Sequence, residues 1–172
     1  MKWGERTFEM SQPAGIFPCL LERLRGLPSR LEEVTASLPR EICIRKSGDA
    51  WSIQEHAGHF LDTEELWQNR LDDYLVGREI LTEADLTHSK TRRANHNANS
   101  LDAILSSFRR ERLTLVERLE RLSVDQLNKT SLHPRLKKPI RLVDSIYFTC
   151  EHDDHYFALL RVLLREITAT PL

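Results

Sequence analysis

No proline lies between residues 40 and 133, and no glycine lies beyond Gly77. Strands and tight turns punctuate a chain with these two residues, so long stretches without them, rich in Leu, Arg and Glu, favour helix. Apolar residues recur at spacings of three and four, and alternation at period two is hard to find. The chain therefore reads as all-α. Its 172 residues suit one domain with a single sizeable core.

The local signals divide the chain into four long helices. Residues 1–14 read as a loose arm. The first helical region spans about Ile16 to Leu38, interrupted at Gly26-Leu27-Pro28 and restarted by a capping box at Ser29 and Glu32. Residues 40–51 connect it to a second helix, opened by the box Ser52-Ile53-Gln54-Glu55 and closed near Gly77. Residues 78–99 form a polar connection long enough to carry the chain back along the whole bundle, which would set its flanking helices parallel. Ser100 starts the third long helix. Its stripe of Leu101, Leu105, Phe108, Leu115, Leu119 and Leu122 is broken by Arg112. Ser123 to Gln126 starts a short turn of its own, residues 128–139 read as a loop, and Pro139 suits the first position of the last helix. That helix, running to about Ile167, is the most apolar. The expected architecture is a four-helix bundle with a long crossover between helices 2 and 3.

Composition limits the function. Lys plus Arg total 25 and Asp plus Glu total 26, a balance that argues against a nucleic-acid or anionic-membrane binder. No apolar run approaches a membrane span, the first residues lack a secretory pattern, and three scattered cysteines make no disulfide framework. A soluble, cytoplasmic setting is the expectation. Phosphate-binding glycine loops, G-x-S-x-G, H-E-x-x-H and EF-hand spacing are all missing.

Histidine is the remaining chemical signal. His56 and His59 lie on the second helix, and His152 and His155 on the last, within Glu151-His152-Asp153-Asp154-His155-Tyr156. Positions three or four apart share a helix face, so His152 can converge with His155 or Tyr156. An imidazole from a facing helix would complete a three-ligand, open metal site, and the spacing leaves Zn, Ni, Fe and Cu undivided. The alternative is an ordinary hydrogen-bonded core histidine. Glu64 and Arg112 each interrupt an apolar stripe, which predicts a buried ion pair between them, the alternative being that Arg112 holds a substrate carboxylate.

Trp51-Ser52-Ile53-Gln54-Glu55, then Gly58-His59-Phe60 and Asp62-Thr63-Glu64, resemble the second-helix signature of the DinB-like superfamily, small four-helix metalloproteins. His133-Pro134-Arg135-Leu136, Arg141-Leu142-Val143-Asp144 and Glu151-His152-Asp153-Asp154-His155 resemble the last third of one DinB-like subgroup. The resemblance implies a metal, zinc or nickel, held in the bundle by one histidine of the second helix and two of the last, four apart. His59 and His152 match. The second of the pair falls on Tyr156, so the third ligand is His155, Tyr156 or none. Asp62, Glu64, Glu151, Asp153 and Asp154 are candidates to orient the ligands. His56 reads as boundary packing, and His133 as loop structure. His88 and His96 could reach the site from the long connection, but are read as solvated loop residues, and Arg92-Arg93 and Arg135-Lys137-Lys138 as solvated surface. By the same resemblance the expected reaction is transfer of a low-molecular-weight thiol to a small electrophile. The alternatives are a metal-dependent hydrolase and a degenerate, non-catalytic dimeric binding protein. A homodimer is the expected assembly, with neither nucleic acid nor membrane as partner.

Overall fold

Ser52 sits in extended backbone and accepts from the Glu55 amide, while the Glu55 carboxylate accepts from the Ser52 amide, so the second long helix begins where its capping box places it. Gly77 ends it in the left-handed conformation that favours glycine. In the computed structural model, which describes residues 3–169, four long helices form the bundle: α1 (Phe17–Thr35), α3 (Ile53–Val76), α5 (Leu101–Glu120) and α7 (Leu142–Ala169). Three short helices lie between them, α2 (Arg40–Cys43), α4 (Ser89–Arg93) and α6 (Val124–Leu127), together with strands β1 (Thr130–His133) and β2 (Lys138–Arg141). Ser100 and Ser123 cap α5 and α6 with their side chains, as expected.

Side-chain pairs fix the helix directions. Phe60 meets Phe108, Glu64 meets Arg112, and Gln68 meets Arg118, so α3 and α5 run parallel. Glu32 with Arg109 and Arg25 with Glu120 set α1 antiparallel to α5. Arg23 with Glu151 and Arg30 with Asp154 set α1 parallel to α7. A hairpin cannot join parallel neighbours, and the long connection after Gly77 is the crossover that does so.

The core lies in two apolar halves. Leu20, Leu24, Trp67, Leu71, Leu115 and Val143 belong to one, and Leu31, Ile53, Phe60, Phe108, Phe157 and Leu160 to the other. Between them sits the predicted ion pair, enlarged to three members. The Arg112 side chain is 0% exposed, and its Nε donates to Glu64 Oε1 at 2.9 Å while Nη1 donates to Asp153 Oδ2 at 2.5 Å. An isolated buried guanidinium would cost several kcal/mol, which explains two carboxylates around one cation.

Four expectations need correction. Residues 3–14 are not loose: Trp3 and Phe8 pack on Phe148, Arg6 pairs with Glu151, and the Gln12 amide donates to Asp144. The first helix is not interrupted at Pro28, which lies inside α1. Proline forfeits one backbone bond there, and burial of Leu24, Leu27 and Leu31 holds the helix together. Its Ser29–Glu32 box does not form, because Arg109 takes both side chains. Residues 130–141 are a β-ribbon rather than a loop, so Pro139 lies in β2 and not at the start of the last helix. Pro139 faces Leu132, whose amide and carbonyl point the other way, to Glu79 and Leu81, so the missing N–H of proline removes no ladder bond. No helix is long and apolar enough to cross a membrane among the described residues.

Candidate metal centre

His59 lies on the second turn of α3 and His152 in the middle of α7, and the antiparallel packing of these helices brings their rings to 5.3 Å between centroids. Tyr156, one turn after His152, stands 4.4 Å from the His59 ring and 4.6 Å from the His152 ring. Trp51 covers the His59 ring at 4.8 Å.

The nitrogens are arranged asymmetrically. His59 Nδ1 lies 3.2 Å from Thr91 Oγ1, while its Nε2 is buried and has no hydrogen-bond partner. His152 Nδ1 lies 3.3 Å from Asp153 Oδ1, and Asp153 is held in turn by Arg112. A ring that donates through Nδ1 presents the Nε2 lone pair, and imidazole ligands are commonly oriented by an oxygen in this way. Burial is the first cause that keeps both rings neutral. It lowers the His59 pKa well below the usual value, helped by the imidazoles of His152 and His88, and it lowers that of His152 against the pull of Asp153. Burial pushes the Tyr156 hydroxyl up to about 12, so it is a neutral phenol that can donate.

The crossover supplies two further groups. Thr91 comes from α4. His88, read as a solvated loop residue, is half-buried, with its ring 5.0 Å from His59 and its Nε2 3.4 Å from the Tyr156 hydroxyl. It adopts φ 53°, a left-handed conformation uncommon outside glycine, and tertiary contacts of this kind leave no local pattern. The Asp85 carboxylate, accepting from the Thr87 and Ser89 amides, forms the turn that presents it. His96 is buried rather than solvated, its Nε2 2.8 Å from Asp62.

His155 packs on Trp3 at 5.5 Å and edge-on to Tyr156, and it has no ring contact with His59 or His152. His56 is buried packing against Trp51 and Tyr156. His133 is a buried strand residue rather than loop structure, and Arg135, read as solvated, is partly buried over Phe148. Among the described residues, no three His, Cys, Asp or Glu side chains form a group that could hold a metal ion. The donor set that does fit is two imidazoles with free Nε2 atoms and a tyrosine hydroxyl, with His88 beside it.

A cavity of about 240 Å³ opens against this group. His59, His88 and His152 form one side, and Trp3, Trp67 and Phe148 give it aromatic walls.

A family model described as the DinB superfamily matches residues 23–159. No curated protein matches the chain. Among solved structures, the chain is similar to YfiT from Bacillus subtilis, with a TM-score of 0.83 and 15% identity over 95% of this chain and 94% of that one. YfiT is described as a probable metal-dependent hydrolase with an unusual four-helix bundle topology. The family match spans most of the chain and ends inside α7 beyond His152 and Tyr156, and on that ground the chain belongs to the DinB superfamily.

Proposed function

We propose that the protein is a metal-dependent enzyme that activates a small nucleophile, with His59 and His152 as the metal ligands and Tyr156 at the third position. The observation that carries this reading is the buried, unpartnered Nε2 of His59, facing a second imidazole whose Nδ1 is held by a carboxylate. Bound there, a divalent zinc or nickel ion would supply Lewis acidity to a water or a thiol.

The chain's own residues supply the rest. Thr91 and Asp153 fix which nitrogen each imidazole presents. Trp3, Trp67 and Phe148 give the reacting space apolar walls. Transfer of an external thiol to an electrophile is the leading reaction, since sulfur packs well on aromatic rings. The chain's cysteines do not compete for that role. Cys43 and Cys150 are buried, Cys150 is pushed up to about 12 by burial, and none of the three lines the cavity. Hydrolysis, with water in place of the thiol, is the alternative suggested by the likeness to YfiT. A second, non-catalytic reading is favoured because, among the described residues, no three His, Cys, Asp or Glu side chains form a group that could hold a metal ion.

Elemental mass spectrometry on protein purified without chelator tests the proposal. About one metal per chain, lost in the His59→Ala/His152→Ala double variant, is the expected result. Equal metal content in the two proteins would overturn it, and a chain that takes up neither zinc nor nickel would point to the non-catalytic reading. A thiol-dependent turnover of electrophiles by the loaded protein then separates transfer from hydrolysis.

A further inference from the structure

The cavity beside the histidines carries two cations with no carboxylate of their own. Arg70, on α3, is 3% exposed. Its Nε donates to the Thr82 carbonyl at 3.0 Å and its Nη1 lies 3.3 Å from His133 Nε2. Arg135, in the turn between β1 and β2, lies over the Phe148 ring at 5.4 Å and the Trp3 ring at 5.9 Å. Its Nη2 is buried and has no hydrogen-bond partner. Among the described residues neither guanidinium forms an ion pair.

The carboxylates around this cavity are engaged elsewhere or stand at its rim. Asp62 holds His96, Glu65 pairs with Lys90, and Asp85 closes its own turn. Of the two acids that follow Arg70 in sequence, Asp72 pairs with Arg118, and Asp73 takes Arg78 and the Thr82 amide. Glu83 is exposed. A buried guanidinium without a carboxylate partner is costly, and an anion held between Arg70 and the buried Nη2 of Arg135 would lower that cost. Guanidinium groups match the planar oxygens of carboxylate and phosphate.

We propose that Arg70 and Arg135 form an anion subsite for the carboxylate or phosphate of a substrate whose ring-sized apolar body lies between Trp3, Trp67 and Phe148. The placement of that substrate next to the reacting centre rests on the metal reading above, whereas the subsite itself does not. The cavity volume, below the usual range for drug-sized ligands, restricts the body to about one ring.

Titration of metal-free protein, kept in chelator, with benzoate, phenyl phosphate and the neutral isostere benzamide tests this through tryptophan fluorescence, since Trp3 and Trp67 line the cavity. One or both anions should bind at least about tenfold more tightly than benzamide, and Arg135→Gln should lose at least about tenfold in anion affinity, several times more than it loses in benzamide affinity. Which anion binds more tightly identifies the carboxylate or phosphate source. Arg135 is only partly buried, so its variant is expected to fold, as circular dichroism would verify. Arg70→Lys should give a smaller loss of the same sign. Equal binding of benzoate, phenyl phosphate and benzamide, no binding of either anion, or unchanged anion affinity in Arg135→Gln would overturn the proposal. Because no metal is present, failure here leaves the metal reading standing, and failure of the metal assay leaves this result standing.

Discussion

His133 shows how a single side chain can link the site wall to pH. Its Nδ1 accepts from the Leu136 amide, and burial, together with Arg70 and Arg135, lowers its pKa to about 3. An unfolded histidine titrates near 6.5. Between these values the unfolded chain binds a proton that the folded chain refuses, so the contribution of His133 is fully present above the unfolded pKa and falls as the solution is acidified. Urea unfolding between about pH 6 and pH 4 should show wild type losing more stability than His133→Gln. The difference should be no more than about 1 kcal/mol per pH unit, since solvent screening reduces the full single-proton slope. Parallel slopes for the two proteins would count against this account. Side-chain signals of this kind were only partly legible in the sequence. The Glu64–Arg112 pair was readable because each charge breaks an apolar stripe. The third member, Asp153, was not: the sequence offered it only as one of five carboxylates that could orient the imidazoles, because no local pattern says which carboxylate turns inward.

At the level of the element, the crossover is clamped to α3 by a missing side chain. A Cβ on Gly58 would lie 2.2 Å from His96 Cδ2, so only glycine lets the His96 ring lie on the helix. His96 also bonds to Asp62, and its carbonyl accepts from Gln54. Alanine at position 58 gains about 1 kcal/mol of helix propensity and loses this seat. Overpacking costs of roughly 1–3 kcal/mol should prevail, so Gly58→Ala should lower the Tm and loosen residues 88–96, read by hydrogen exchange. An unchanged or higher Tm would show that the ring moves away without penalty. Helix ends capped by Ser52, Gly77, Ser100 and Ser123 were legible because a cap needs only neighbours in sequence. The ribbon of β1 and β2 was not, since its alternation covers four residues per strand and Pro139 argues against a strand until Leu132 is seen bonded on its other side. That His88 could reach the site was legible, but not that it turns inward, because the Tyr156 hydroxyl it meets is 68 residues away.

Across the whole molecule, the layer of Glu64, Arg112 and Asp153 divides the core and ends at a proposed ligand, His152. Removing its cation would leave two buried carboxylates facing each other. Arg112→Met should therefore cost about 3–5 kcal/mol in urea unfolding, more than a surface arginine such as Arg110. A loss below about 1 kcal/mol would mean that water reaches the layer. The parallel pairing of α3 with α5 has a different consequence, in time rather than in energy. Glu64 and Arg112 are 48 residues apart, and no hairpin can bring them together early. Their helices must be held until the intervening chain has closed on itself, at an entropic cost that local contacts do not offset in advance. The bundle should therefore assemble more slowly than an up-and-down bundle of the same length, with the α3–α5 face among the last to form.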